Sequence, residues 1–282
     1  MACNGRRGRR DWSTLAPGAW GCVLLCAVWL GVLMGTSVAQ TPAAPTGELV
    51  VFAAASLTEP FNEIGRRLES LYPGLRVLYN FGGSPILRMQ LEQGAQADVF
   101  VSADLAQLQV AQSSHVVQGE APVFVRNRLV VIVPRDNPKQ LRSFQDLASP
   151  GLKLSLAAPK VPVGSYSRQA LSKAQADYGA DFAARVLRNL ASEEDNVKQV
   201  VTKVQLGEAD AGIVYASDVT PRVSHDVRML PIAEAYNQLA TYPIALTAGV
   251  KNRQAADVFI AFVLAPEGQA ILQSHHFLPV RD

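Results

Sequence analysis

The chain has 282 residues, with 26 basic and 24 acidic side chains and a formal net charge of +2. That balance leaves no electrostatic footprint for nucleic acid or an acidic membrane surface. The three cysteines (Cys3, Cys22, Cys26) all fall near the N-terminus, so the rest of the chain has no disulfide, thiolate metal ligand or cysteine nucleophile.

Arg6, Arg7, Arg9 and Arg10 precede a mostly apolar run from Leu15 to Gly35. Ser37 and Ala39 then put small residues where signal peptidase prefers them. The run is long enough to span a membrane. The cleavage pattern and the polar, Pro-containing stretch after it favour removal, so residues 1–39 are expected to be a signal peptide and 40–46 a linker. Processing would take the 26 basic and 24 acidic residues to 22 and 23, and would also remove Trp12, Trp20 and Trp29.

From Gly47 onward, strand and helix patterns alternate. "GELVVFAAA" reads as a buried strand and "LTEPFNEIGRRLESLY" as an amphipathic helix. "LRVLYNF" and "ADVFVSA" are further strands, separated by the helix "PILRMQLEQ". "DLAQLQVAQ" is a helix, followed by the β-branched strand "NRLVVIVP" and the strand "KLSLAA". Helices are predicted for "YSRQALSKAQADY", "ADFAARVLRNL" and "NVKQVVTKVQL". The strands "AGIVYA" and "YPIALTAGV" and two closing helices complete the chain. This order predicts an α/β protein whose mostly parallel sheets are flanked by helices. "GAQADVFVSAD" (94–104) and "GEADAGIVYASD" (207–218) echo one another, as two lobes of similar build would.

The sequence has no Gly-x-Ser-x-Gly elbow, P-loop or dinucleotide fingerprint. His115, His225, His275 and His276 stand in no metal-ligand spacing, so no catalytic residue and no direct metal ligand is expected. What recurs is a strand, then a small or polar residue, then a helix start. Ser56-Leu57-Thr58-Glu59 fits a capping box, although Pro60 then falls at the fourth helical position. Ser84 is expected as an N-cap with Pro85 at the first helical position. Val163 and Gly164 lie at another helix start. Asn196 is expected to cap a fourth, leaving the Val197 amide unpaired. Helix N-termini converging on one point bind an anion without lysine or arginine. The Ala53–Ala55 run and the Gly82-Gly83 pair clear side chains from the ends of strands, where open α/β sheets take ligands.

"FAAASLTEPF", "FGGSPIL", "GAQADVFVSAD", "NRLVVIVP", "VPVGSYSRQAL", "EDNVKQVV" and "GEADAGIVYASD" follow in this order. Together they resemble the periplasmic molybdate-binding proteins of bacterial ABC importers, from Gly47 to the C-terminus. The resemblance implies a two-lobed periplasmic binding protein with the ligand in the interlobe cleft. Lobe 1 would comprise 47–127 plus 247–282 and lobe 2 128–246, with crossings near Arg126–Val130 and Ala245–Ala248. It implies an oxyanion held by backbone and hydroxyl of Ser56 and Ser84, the amides of Val163 and Val197, and the phenol of Tyr215. Val163 stands where the family often has alanine, a change of little weight for an amide contact. It further implies a periplasmic monomer that carries molybdate or tungstate to a membrane permease. No enzymatic activity, cofactor or nucleic-acid partner is expected. A binding protein for sulfate or another tetrahedral oxyanion is the alternative.

Overall fold

The computed structural model describes residues 44–280. The expected signal peptide, and residues 40–43 of the expected linker, lie outside the described residues.

The first sheet starts with β1 (Gly47–Ala54), in which Leu49 and Val51 and then every residue from Val51 to Ala54 are buried. After it, α1 (Thr58–Leu71) buries Phe61, Ile64 and Leu68, one face at helical spacing. There follow β2 (Leu75–Gly82), α2 (Ser84–Glu92), β3 (Val99–Val101), α3 (Leu105–Ser113), β4 (Val117–Gln118) and β5 (Val123–Asn127). The second sheet opens with β6 (Leu129–Pro134), whose first five residues are all buried, as in a strand covered on both faces. It continues with β7 (Leu154–Ala157), α4 (Pro162–Tyr178), α5 (Phe182–Arg188), β8 (Leu190–Glu194), α6 (Val197–Gln205), β9 (Ala211–Tyr215) and β10 (Val227–Pro231). Then β11 (Ala240–Thr247), α7 (Arg253–Leu264) and α8 (Pro266–Ser274) return to the first sheet.

The sheet orders are β2-β1-β3-β11-β4, with β5 beside β11, and β10-β6-β9-β7-β8. In each, one strand lies between two parallel neighbours: β1 between β2 and β3, and β7 between β8 and β9. The expectation of mostly parallel sheets holds for these strands and not for the crossing ones. β11 runs antiparallel to β3, β4 and β5, and β6 antiparallel to β9 and β10. The reason is connectivity. The chain leaves the first sheet at Asn127 and comes back beside its own exit, with Ala240 opposite Asn127, so the two passages run in opposite directions. The second crossing therefore precedes Ala240 and does not lie near Ala245–Ala248. Residues 240–246, expected in the second lobe, pair with β3, β4 and β5 of the first sheet; the apolar run "YPIALTAGV" marks a strand but not the sheet it joins.

The sequence echo has a structural basis. The Asp98 N–H donates to the Val50 carbonyl, and its carboxylate accepts from the Val50 N–H, both at 2.8 Å. Asp210 makes the same exchange with Lys153, again at 2.8 Å both ways. Each aspartate ties the strand it precedes to the neighbouring parallel strand, and so sets where the strand ends align.

Candidate functional site

The C-terminal ends of β1, β2, β7, β8 and β9 face one another across the two sheets, and the elements that follow them enclose a cavity. Its volume is ≈ 20 Å³ on the scale where a single water needs roughly 10–15 Å³. Ligand pockets for organic molecules run to several hundred Å³, so this one suits a compact ligand of a few heavy atoms. Its walls come from both sheets: Ala54, Ala55, Ser56, Gly83, Ser84 and Ala103 on one side, and Val161–Val163, Asn196, Val197 and Tyr215 on the other. None of these carries a formal charge. Ala54 and Ala55 answer to their position, since longer side chains would fill the space.

Ser56 is buried in a 3-10 turn (Ala55–Leu57) between β1 and α1. The expected capping box does not form. The N-cap of α1 is Leu57, with no side-chain cap, and Glu59 turns away to Lys198. The later start places Pro60 third in the helix, within the first turn, where an amide has no intrahelical acceptor to lose. The serine hydroxyl is thereby released from capping and lies 2.9 Å from Tyr242 Oη.

Ser84 sits one position later than expected. Gly83 is the N-cap of α2, and Ser84 and Pro85 are its first two residues. The Ser84 hydroxyl makes no cap bond. Its Oγ accepts the Ala103 N–H at 3.1 Å, which leaves its proton unspent. Gly83 itself is a contact between the two sides of the cavity. A Cβ there would stand 2.1 Å from the Asp195 carbonyl oxygen.

On the other wall, Val163 is the second residue of α4, behind Pro162. Gly164 lets this first turn sit on the end of β7, for a Cβ would come within 2.2 Å of the Ala158 oxygen. Val197 is the first residue of α6. Asn196 caps it as expected, accepting the Gln199 N–H at 3.2 Å. Amides in a first helical turn have no intrahelical acceptor and carry the positive end of the helix dipole.

Tyr215 closes β9 and is 1% exposed. Its Oη is buried without a hydrogen-bond partner among the described residues. Burial, with smaller effects of Tyr242, Tyr166, Asp104 and Asp218, holds the phenol well above its usual pKa, so it keeps its proton. All five residues expected at the site, Ser56, Ser84, Val163, Val197 and Tyr215, therefore line one cavity.

The cation nearest in sequence, Lys198, is already engaged. Its Nζ lies 2.7 Å from Glu59 of α1 and 3.4 Å from the buried Asp218. Burial opposes its charge, but the Asp218 and Glu59 carboxylates outweigh that and raise its pKa. Among the described residues no group of three His, Cys, Asp or Glu side chains is placed to hold a metal ion. What the cavity offers is proton donors from neutral groups.

Sequence reading did not single out Tyr242, Asn127 or Ala103, each of which touches or orients a serine. The Ser56–Tyr242 contact joins residues 186 positions apart. Nothing local in "TYPIAL" marks the tyrosine as part of a site.

Residues 49–278 match the family described as bacterial extracellular solute-binding protein. The chain is 37% identical over 270 residues to the molybdate-binding protein ModA of Mycobacterium tuberculosis H37Rv, covering 94% of this chain and 98% of that one. Its fold is similar to that of the sulfate-binding protein SubI of the same organism, with TM-score 0.73 over 83% of this chain and 87% of that one, at 15% identity. It is also similar to that of the periplasmic molybdate-binding protein of Azotobacter vinelandii, with TM-score 0.69 over 82% and 98%, at 18% identity. At such identities the two structural likenesses speak for the two-lobed fold alone.

Proposed function

The chain belongs to the bacterial extracellular solute-binding proteins, and on that premise we propose that it captures molybdate, with tungstate as an equivalent cargo, and delivers it to the membrane permease of an ABC importer. The observation that carries this reading is the unpartnered, buried Tyr215 hydroxyl in a cavity whose two serines already have their oxygens facing protein groups. Such a site has protons to give and no carboxylate to receive one. A molybdate ion has four equivalent oxygens and no proton at neutral pH, so it matches. Phosphate keeps a proton and would call for an acceptor.

In this reading Ser56 and Ser84 each give a hydroxyl and an amide, Val163 and Val197 an amide each, and Tyr215 its phenol. Hydrogen bonds to a charged group contribute about 1.5–3 kcal/mol each. About seven of them exceed the roughly 8 kcal/mol of a micromolar affinity, and the excess offsets desolvation and lobe closure. Sulfate has the same charge and shape, so discrimination against it rests on size: a smaller ion cannot reach all the donors at once. The first lobe takes residues 47–127 with the segment from 240 onward, and the second takes 128–239. Closure of the two around the ion presents the form that docks on the permease. The protein is a periplasmic monomer exported by a cleaved signal peptide. It uses no cofactor, catalyses no reaction and binds no nucleic acid.

Calorimetric titration of anion-free protein with molybdate, tungstate, sulfate and phosphate tests this. One-to-one binding of the first two, with the others silent, is the expected result. Binding of sulfate or phosphate in their place would overturn the cargo and leave the binding-protein fold.

A further inference from the structure

We propose that Tyr242, itself oriented by Asn127, is a positioning residue that commits the Ser56 hydroxyl to donating into the cavity. The inference rests on the oxyanion reading above and specifies how one of its donors is set. Tyr242, near the start of β11, lies opposite Val125, and Asn127, at the end of β5, lies opposite Ala240, so the two are diagonal neighbours on the paired strands by which the chain passes between the sheets. Both are fully buried.

The direction of the protons follows from what each atom can do. Asn127 Oδ1 accepts the Arg128 N–H at 3.0 Å. A backbone N–H only donates, so the amide oxygen must face it, and this fixes the amide's orientation. Asn127 Nδ2 then faces Ser217 Oγ at 2.8 Å and Tyr242 Oη at 3.5 Å. An amide nitrogen only donates, so the Tyr242 oxygen receives at that long contact. Its own proton is directed to Ser56 Oγ, 2.9 Å away. The reverse arrangement, Ser56 donating to Tyr242, would leave the tyrosine proton without an acceptor, since the Asn127 nitrogen only donates. Burial, above all other effects, raises the Tyr242 pKa, so the phenol holds that proton across the working pH range.

With the Tyr242 proton on its oxygen, Ser56 keeps its own proton free to donate into the cavity it lines. Ser84 reaches the same condition by a simpler route, since its oxygen accepts a backbone amide, that of Ala103. Tyr242 therefore does for Ser56 what a main-chain N–H does for Ser84. An anion that must itself donate a proton meets serine oxygens that each already have a protein contact.

A double-mutant cycle reads this directly. Molybdate is titrated calorimetrically into the parent, Tyr242→Phe, Ser56→Ala and the double variant. Tyr242→Phe is expected to weaken binding about tenfold, the equivalent of about 1.4 kcal/mol. In the Ser56→Ala background the same change should cost less than about twofold, because its effect passes through the missing hydroxyl. Asn127→Ala removes the donor to Tyr242 together with the bonds to Ser217 and the Arg128 N–H, neither of which touches Ser56. It should give a smaller loss that also vanishes without Ser56, and it supplies the same test should Tyr242→Phe fail to fold. Losses that add, or a Tyr242→Phe variant that binds like the parent, would overturn the inference and leave the oxyanion reading standing. No binding by the parent would remove both.

Discussion

The two walls of the cavity supply the same commodity, unspent protons, in different ways. On the first-sheet side each serine oxygen lies against a protein group, Tyr242 Oη or the Ala103 amide, so its proton is set before any ligand arrives. On the second-sheet side the Tyr215 hydroxyl has no partner among the described residues. Each serine oxygen has a protein contact without ligand, and the Tyr215 oxygen has none among the described residues. A buried polar group without a partner costs about 1–3 kcal/mol, so the second wall gains most from occupation. The ends of the echoed motifs differ in the same sense. Asp104 serves as the N-cap of α3, accepting the Gln107 N–H at 2.8 Å. Its counterpart Asp218 is fully buried, accepts the Tyr215 N–H at 3.1 Å and faces Lys198.

The largest expected effect separates binding from folding. Tyr215→Phe should weaken molybdate binding at least tenfold, from the loss of a bond to a charged ligand worth about 1.5–3 kcal/mol. The thermal midpoint of the ligand-free protein should stay level or rise, since an unsatisfied hydroxyl is removed. Unchanged affinity would take Tyr215 out of the site. Ser84→Ala breaks the symmetry of that result. It leaves the Ala103 N–H without its acceptor, so denaturant titration of the ligand-free protein should show a loss of about 1–3 kcal/mol. Equal stability of the Ser84→Ala and Tyr215→Phe variants would erase the contrast between the walls.

The smallest effect concerns pH. Burial pushes Asp218 up to about 6 from the ordinary 3.8, against the pull of Lys198 and the Tyr215 N–H. A carboxyl whose folded pKa is raised favours folding when protonated. That contribution is present at pH 4 and below and is lost as pH rises through about 6. Asp218→Asn cannot titrate, so its stability relative to the parent should climb between pH 4 and pH 7, by about 1 kcal/mol or more. A constant gap across that range would show that Lys198 fully compensates the buried carboxylate.

Much of the site could be read in the sequence because its parts are local. A helix start advertises itself through Ser-Pro, Asn-Val or Val-Pro-x-Gly, and the amides follow from the helix. The details that failed are those in which distant groups compete for a side chain. Ser56 fits a capping box in sequence, but Tyr242 on another strand takes its hydroxyl instead. β8 and β10 escaped for another reason. They are edge strands with polar or exposed positions, such as Ser192 and Met229, and lack the buried run that marks β6. The placement of β11 is a matter of topology, and a run of apolar residues does not encode its neighbours.

The contact between Gly83 and the Asp195 carbonyl has a consequence for how this site could change over evolutionary time. At this point the two rims meet with the Gly83 main chain against the Asp195 carbonyl, leaving no room for a Cβ. The gauge of the cavity is therefore written in the alignment of two sheets. Point mutation at Gly83 can only wedge the rims apart; it cannot bring them closer. Retuning such a site requires insertions or shifts that move a whole strand end, which makes its selectivity a property of the scaffold.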